Sequence, residues 1–194
     1  MAEKKFSCVK GCSDCCIYRE YYPTKQFGKI GVLLLPGEVE AIEKQAQEKC
    51  VDVKILPRIA VGKGSPENII AYQMMGKNND GDLCPFLDTD SGAQSPHGGL
   101  SCRIYENRPL ACRAYPLLES GDPAKLDEHC RFCKDSSTSN ASAQTLLSEA
   151  QALGKIKNEV QVVDDSLRIW RYATATGAPQ ERNKMFPQGW VIDG

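Results

Sequence analysis

Long apolar runs are scarce in this chain of 194 residues. The longest covers residues 30–36, far fewer than the roughly 20 apolar residues that a membrane-spanning helix needs. A dominant charge is also lacking, because 24 basic residues nearly balance 25 acidic ones. Proteins that bind nucleic acid usually carry a basic excess or a basic stripe. We therefore expect neither insertion into a membrane nor a nucleic-acid partner.

Two further features are absent from the sequence. The N-terminal residues MAEKKF lead into no apolar core of signal-peptide length, so we expect a cytoplasmic protein whose thiols stay reduced. The chain has no glycine-rich strand–loop–helix motif of the kind that binds dinucleotides or S-adenosylmethionine, and no recognisable catalytic triad. The residues therefore leave open whether the protein is an enzyme.

Cysteine is the residue that the chain has in excess, with 10 copies. All but Cys50 fall into tight groups, which indicates that the thiols act together. The grouped cysteines are Cys8, Cys12, Cys15 and Cys16 near the N-terminus, Cys84 followed by Pro85, Cys102 and Cys112, and the pair Cys130 and Cys133.

The choice for these cysteines lies between disulfides and metal. Adjacent Cys15 and Cys16 bridge each other poorly, and a chain of this length does not need disulfides to fold. Thiolate is the soft ligand that selects zinc or iron–sulfur clusters, and a C-x-x-C spacing lets both thiols face one centre. We therefore predict that all nine grouped cysteines are candidate metal ligands. Cys15 and Cys16 cannot comfortably share one small centre, so one of them serves a second centre or stays uncoordinated.

Basic residues flank the candidate ligands. Arg103, Arg108 and Arg113 surround Cys102 and Cys112 in the sequence. Guanidinium groups near an anionic thiolate cluster would stabilise it and raise its reduction potential, and surface ion pairs are the alternative role. The chain has only two histidines. His129 precedes Cys130 and could be a zinc ligand or an exposed side chain, whereas His97 lies in a glycine-rich loop and is expected to face solvent.

Hydrophobic periodicity predicts an α+β fold, with a small, irregular, cysteine-rich domain of short strands organised by metal. Strands are expected at residues 30–35, 51–61 and 69–74, and a helix at 36–49. A small antiparallel unit is expected from residues 69–74, 81–87 and 100–103. Short helical turns are expected at 104–108 and 110–115, each stopped by a proline.

The C-terminal part is expected to be helical. Apolar residues from Leu146 to Trp170 recur at helical spacing and predict one long helical stretch that packs on the protein's own core. The predicted organisation is a cysteine-cluster domain at 1–134, a helical segment at 135–175 packed on it, and an irregular tail at 176–194.

One family resembles this arrangement of motifs. The N-terminal cluster ending in CC, the segment CPFL (84–87), the string CRIYENRPLACRAYP (102–116) and the late cysteine pair resemble the CxxCxxCC or YkgJ-type cysteine-cluster proteins. The family is described as a zinc- or iron-chelating domain and includes the cysteine-rich part of flagellin lysine N-methylases. Here three residues separate Cys8 from Cys12 where the family has two, so a ligand role carries over less directly to Cys8.

Three functions compete at this point. The favoured one is an iron–sulfur protein, with one 4Fe–4S cluster or two, that transfers electrons or assists a redox or modification enzyme. Its partner would be a redox protein or the protein being modified. The second is a structural zinc module that docks a partner. The third is a protein-lysine N-methylase-like enzyme, for which the sequence shows no methyl-donor motif.

Overall fold

A computed structural model describes residues 13–17, 27–77, 83–95, 99–120, 124–127, 130, 146–174 and 188–193. In these ranges helices alternate with antiparallel strands, which confirms the predicted α+β class. The chain divides into two compact units, each built from separate stretches of sequence. The first comprises Met1–Ile17 and Phe86–Asn158, and the second Tyr18–Pro85 and Glu159–Gly194. Within the described residues, the helices are all too short or too polar to cross a bilayer.

The second unit is built on a five-stranded antiparallel sheet with the order β1-β3-β2-β8-β9. Its strands are β1 (Val32–Leu34), β2 (Ile55–Gly62), β3 (Asn68–Met74), β8 (Arg168–Thr174) and β9 (Gln188–Ile192). Helix α2 (Pro36–Glu48) contacts β1 and β3. Side chains such as Leu34, Ala60, Ala71, Met74 and Ala173 are at most 1% exposed and form the core of this unit.

Local residues and hydrogen bonds set the start and the end of helix α2. Pro36 at its first turn has a φ that suits a helix start, and the Leu35 N–H donates to a Glu38 carboxylate oxygen at 2.9 Å. Ile42 and Ala46, four residues apart, are the buried positions of the helix. Cys50 follows the helix with a positive φ and is exposed. The predicted helix at 36–49 is therefore confirmed, and the strands predicted at 30–35, 51–61 and 69–74 correspond to β1, β2 and β3.

The elements of the first unit are short, apart from one 14-residue helix whose last two residues belong to the second unit. They are α1 (Asp14–Ile17), β4 (Leu87–Asp88), β5 (Ser101–Cys102), a 3-10 turn (Tyr105–Asn107), α3 (Leu110–Ala114), β6 (Leu117–Glu119), β7 (Lys125–Leu126) and α4 (Leu147–Val160). β4 pairs with β5 and β6 pairs with β7, each as a two-stranded antiparallel sheet. Phe86, Leu87, Leu117 and Leu146 are buried in this unit. The predicted helical turns before and after Pro109 are confirmed.

The predicted long helix from Leu146 to Trp170 is wrong beyond Val160. The helix ends at Val160, and Asp164 then forms a turn, because its carboxylate accepts the Ser166 N–H at 2.9 Å and its carbonyl accepts the Leu167 N–H at 3.0 Å. Aspartate side chains compete with helical hydrogen bonds in this way. Trp170 lies on β8, opposite Ala60 of β2 and Ile192 of β9. The apolar residues that suggested one long helix therefore belong partly to the helix that ends at Val160 and partly to strand β8.

Two other expectations need correction. Residues 69–74 pair with β1 and β2 of the large sheet, and not with residues 100–103, whose partner is β4. The tail predicted to be irregular contains strand β9. The predicted domain boundaries after residues 134 and 175 lie outside the described residues, as does the polar stretch at 135–143, and that division of the chain stays a prediction.

Candidate metal centre

The N-terminal thiols of the described part lie on a single helical turn. In α1 the Cys16 N–H donates to the Ser13 carbonyl at 2.8 Å. The Ser13 hydroxyl donates to the Leu100 carbonyl at 3.4 Å, next to the strand that carries Cys102. The sulfur atoms of Cys15 and Cys16 are 3.9 Å apart, well beyond the roughly 2.05 Å of a disulfide bond. Ser13 therefore holds two adjacent thiols, unbridged to each other, beside β5.

The second group of donors begins on β5. Cys102 pairs with Leu87 of β4, and the Arg103 N–H donates to the Phe86 carbonyl at 2.9 Å, which fixes the end of the hairpin. The Cys102 thiol is half-buried. Burial raises its pKa, and the neighbouring thiols of Cys112 and Cys15 raise it further. The thiols of Cys15 and Cys112 thus each lie within electrostatic range of the Cys102 thiol.

Cys112 is held by the short helix α3. Pro109 stands just before this helix, and its carbonyl accepts the N–H groups of Cys112 at 2.9 Å and Arg113 at 3.0 Å. Ala114 of the same helix is buried. Pro109 fixes where the helix begins, and the buried Ala114 marks the side of the helix that faces the rest of the unit.

Cys130 is the most buried of the described candidates, with 7% of its surface exposed. Its N–H donates to the Asp127 carbonyl at 3.1 Å, and the Asp127 N–H donates to the Pro116 carbonyl at 2.8 Å. Asp127 follows directly after β7, and Pro116 stands directly before β6. The small β6–β7 sheet therefore positions Cys130 in the first unit.

The loop between β4 and β5 is organised by Asp88. Its carboxylate accepts the N–H groups of Asp90 at 3.2 Å and Ser91 at 3.0 Å, and also the Ser91 hydroxyl. Hydrogen bonds from the Ser91 hydroxyl and N–H lower the pKa of Asp88 to about 2. One guanidinium nitrogen of Arg103 lies 3.5 Å from Asp88 and 3.6 Å from Asp90. This ion-paired loop shapes the hairpin that presents Cys102.

Several predicted site residues are not brought together by the described part of the chain. Cys8, Cys12, Cys133, His97 and His129 lie outside the described residues. Cys84 lies in the second unit and is half-buried, and the carbonyl of the preceding residue, Leu83, accepts the Lys77 N–H at 2.7 Å. Among the residues that the structure describes, no three His, Cys, Asp or Glu side chains form a group that could hold a metal ion. The described thiols therefore supply at most part of the ligands that a metal centre needs, and the ligand role of the nine grouped cysteines stays a prediction.

Two residues that help to position the candidate ligands were not predicted from the sequence. Ser13 ties α1 to the strand of Cys102, and Asp88 orders the loop before that strand. Asp88 carries a weak sequence signal, because the string DTDSG is typical of a turn in which an aspartate caps the following N–H groups. Ser13 carries none, since its hydrogen bond joins residues that are far apart in the sequence.

The donor set is chemically uniform. The described candidates of the first unit are Cys15, Cys16, Cys102, Cys112 and Cys130, and all offer sulfur. Sulfur donors suit zinc and iron–sulfur clusters, and fit poorly with magnesium or calcium, which prefer oxygen. By its chemistry the set therefore fits a zinc or iron centre.

Comparison with known proteins gives one match. The CxxCxxCC family, described as "Putative zinc- or iron-chelating domain", matches residues 7–134. Neither the curated proteins nor the solved structures include a match to this chain. The matched range covers every grouped cysteine, and it also covers residues 27–77, which in the structure form most of the five-stranded sheet unit.

Proposed function

Because the chain belongs to the CxxCxxCC family of zinc- or iron-chelating domains, we propose that its clustered cysteines hold an iron–sulfur cluster of the 4Fe–4S type. The protein then transfers electrons, or assists a redox or protein-modifying enzyme. Metal binding itself follows from the family, whereas the kind of centre and the role are the proposal.

The observation that carries the proposal is the gathering of sulfur donors in one compact unit. Cys15 of α1 and Cys112 of α3 both lie within electrostatic range of Cys102 on β5. A structural zinc site uses four ligands. A 4Fe–4S cluster also takes four thiolates, so the nine grouped cysteines of the sequence are enough for two centres.

The ligands would come first from Cys102, Cys112 and Cys15. Cys16, Cys84 and Cys130, together with Cys8, Cys12 and Cys133, supply the remaining candidates. When bound, such a cluster supplies reversible one-electron transfer. The chain's own contribution is to hold the thiols at fixed points of the first unit. Burial raises the pKa of Cys102, so a metal would have to displace the proton of this thiol on binding.

A cytoplasmic location and a protein partner belong to the same proposal. Cys50 is an exposed free thiol, and exposed thiols persist where the compartment is reducing. An electron-transfer or accessory role requires a second protein, either a redox protein or the protein being modified.

Metal and acid-labile sulfide analysis of the full chain, purified without oxygen, tests the proposal. We expect about four iron and four sulfide per chain, with a broad absorption band near about 400 nm. Roughly twice these amounts would mean two clusters. The double variant Cys102→Ala/Cys112→Ala should lose the band, whereas Cys50→Ala, a matched control outside the groups, should keep it.

Stoichiometric zinc without sulfide would contradict the iron–sulfur proposal and favour a structural zinc module. Methyl incorporation into a lysine substrate by the purified chain would show instead that it is a methylase-like enzyme. A colourless protein with neither metal after reconstitution with iron and sulfide would contradict the electron-transfer role.

A further inference from the structure

Two neighbouring thiols, those of Cys15 and Cys16, lie side by side in α1. Their sulfur atoms are 3.9 Å apart, and both residues are half-buried. A disulfide needs a separation of about 2.05 Å between its sulfurs. The pair is therefore a reduced dithiol and not a bridged one.

Backbone contacts hold this dithiol in place. The Cys16 N–H donates to the Ser13 carbonyl at 2.8 Å, which closes the turn that carries both cysteines. Ser13 is buried, and its hydroxyl donates to the Leu100 carbonyl at 3.4 Å. Helix α1 is only four residues long, so this contact anchors it from outside its own turn. The separation of the two sulfurs is thus set before any ligand binds.

That separation fits a bridge of one atom. A single atom bonded to two sulfurs at about 2.3 Å each, the length of a zinc–thiolate bond, holds them about 3.5–3.8 Å apart at bond angles of about 100–110°. Starting from the observed 3.9 Å, a closure of a few tenths of an ångström is enough. Small side-chain rotations supply such a movement, so one bridging atom can join Cys15 to Cys16 while α1 stays helical.

The number of donors restricts which atom this can be. In the described part of the chain, no three His, Cys, Asp or Glu side chains form a group that could hold a metal ion. Zinc needs four ligands, and a 4Fe–4S cluster needs four thiolates. A trivalent arsenical with one organic substituent needs two sulfurs only, and thiolates prefer soft partners such as arsenic. The two described thiols therefore meet the full requirement of such an arsenical.

We propose that Cys15 and Cys16 form a dithiol site that captures monosubstituted trivalent arsenicals. The two thiols replace the oxygen of an organoarsenic oxide, R–As=O. Two As–S bonds form, both bonds between arsenic and oxygen break, and the two thiol protons leave with that oxygen as water. Arsenic stays trivalent, so the step needs no oxidant or reductant. The site does not depend on the iron–sulfur proposal.

Uptake of phenylarsine oxide by the full chain, reduced and free of metal, tests the proposal. After digestion with trypsin, mass spectrometry measures the fraction of the peptide 11–19 that carries the phenylarsenic group while a competing dithiol is added. A second bond formed within one molecule raises affinity by about 100-fold or more over a single bond. We therefore expect Cys15→Ser and Cys16→Ser each to bind about 100-fold more weakly than wild type.

Two variants serve as controls. Cys12→Ser removes the other cysteine of the same peptide, and Cys50→Ser removes the exposed thiol after α2. Both should keep wild-type affinity, and circular dichroism of each variant shows whether its fold is kept. Fragmentation of the wild-type peptide needs no variant, because an arsenic bridge from Cys15 to Cys16 leaves no fragment that separates the two residues.

Three results would overturn the inference. They are wild-type affinity in Cys15→Ser or Cys16→Ser, an equal loss in Cys12→Ser, and the absence of the phenylarsenic group from the wild-type peptide. Iron and sulfide uptake is measured separately. A chain that binds the arsenical but assembles no cluster contradicts only the iron–sulfur proposal, and one that assembles a cluster but binds no arsenical contradicts only the dithiol site.

Discussion

At the scale of single residues, Gln73 is the side chain on which the large sheet depends most clearly. It is 1% exposed on β3, yet both ends of its amide are bonded. Its Nε2 donates to the Pro57 carbonyl at 2.9 Å, and its Oε1 accepts the Gly31 N–H at 2.9 Å. Pro57 has no N–H to give to the ladder, and the β2–β3 register shifts beside it. Gln73 thus joins three segments where regular pairing is interrupted.

We predict that Gln73→Met lowers the free energy of unfolding by about 2–3 kcal/mol. The replacement has similar volume, but it leaves the buried Gly31 N–H and the part-buried Pro57 carbonyl without these hydrogen bonds, and such groups are costly to leave unsatisfied. Urea unfolding of the metal-free chain measures the change. Gln47→Met, on the exposed side of α2, is the control, with an expected change below about 0.5 kcal/mol. Equal effects from the two variants would contradict the argument.

Cys50 has a structural role at the end of α2. Its φ is 51°, its N–H donates to the Gln47 carbonyl at 3.1 Å, and the Val51 N–H donates to the Ala46 carbonyl at 2.9 Å. These two bonds are those of a Schellman motif, in which glycine is the usual residue at the position that Cys50 occupies.

We predict that Cys50→Gly stabilises the second unit by about 0.5–1 kcal/mol. Glycine adopts positive φ without the Cβ penalty of about 1–2 kcal/mol, and part of this gain is offset because glycine has more conformational entropy in the unfolded chain. Cys50→Ala keeps the Cβ and should change stability by less than about 0.5 kcal/mol. Equilibrium unfolding of the two variants decides the point. Equal stability of the glycine and alanine variants would mean that the backbone at this position carries no strain.

Neither residue could have been identified from the sequence. Cys50 stands alone in the chain, and only the φ of the folded backbone shows why its position matters. Gln73 lies in the apolar string NIIAYQM, where a single amide gives no sign of being buried. The grouped thiols are different, because sequence spacing alone predicts that they are donors, although it cannot show which of them share a centre.

At the scale of elements, the turn between β2 and β3 depends on Gly62. A Cβ at this position would lie 1.8 Å from the Ser65 carbonyl oxygen, far inside contact distance. A Cβ on Gly64, in the same turn, would have nothing within 4 Å. Gly64 can therefore serve as the control for Gly62, because both lie in one turn and only Gly62 lacks space for a Cβ.

We predict that Gly62→Ala lowers the free energy of unfolding by more than about 2 kcal/mol, since backbone must shift to admit the methyl group. Gly64→Ala should be neutral or stabilising by up to about 1 kcal/mol, because alanine reduces the freedom of the unfolded chain. Thermal and urea unfolding of both variants measure the difference. A neutral Gly62→Ala would show that the turn relaxes more easily than its geometry suggests.

The β4–β5 hairpin should show acid sensitivity that arises from Asp88. Its pKa is lowered from 3.8 to about 2 by the hydrogen bonds from Ser91, so the folded state prefers the carboxylate. A lowered pKa stabilises the fold fully above about pH 4 and loses that contribution as pH falls through about 2.

In Asp88→Asn we expect stability to fall less steeply between about pH 4 and about pH 2 than in wild type, because the amide accepts the same N–H groups but does not titrate. Hydrogen exchange of the hairpin amides, on metal-free protein, measures the slope locally. Asp165→Asn, an exposed residue of the C-terminal turn, should keep the wild-type slope. Parallel slopes in wild type and Asp88→Asn would contradict the assignment.

Whether a helix or strand can be predicted from the sequence depends on how far apart in the chain the residues that stabilise it lie. Helix α2 and the short turns around Pro109 follow from local signals, namely prolines at their starts or ends and periodic apolar residues. Strand β8 does not, because Trp170 is in a strand through pairing with β2, more than 100 residues earlier in the chain. Strand β9 was missed for the same reason, since its only described partner is β8.

At the scale of the whole molecule, the two compact units differ in what stabilises them. The second unit has an extended sheet with a covering helix and an aliphatic core that includes Leu34, Ile42 and Met74. The described strands of the first unit are two or three residues long. Strands this short are marginal alone, so metal ligation is expected to contribute much of the first unit's stability.

The two tryptophans of the chain make this difference measurable. Trp170 is on β8 and Trp190 on β9, so both report on the second unit. Trp190 also contacts Tyr172 edge-on, with ring centres 5.3 Å apart, which makes its fluorescence sensitive to the β8–β9 pairing. Backbone amides of β4, β5 and α3 report on the first unit by hydrogen exchange.

We predict that removal of metal by a chelator leaves the tryptophan unfolding midpoint unchanged, while amide protection in β4, β5 and α3 falls by about tenfold or more. The reason is that the thiols proposed first as ligands, Cys15, Cys102 and Cys112, all lie in the first unit, and the sheet unit keeps its own apolar core. Cys102→Ala/Cys112→Ala should reproduce the effect of the chelator, and Cys50→Ala should not. A tryptophan midpoint that falls together with the amide protection would mean instead that metal stabilises both units as one cooperative structure.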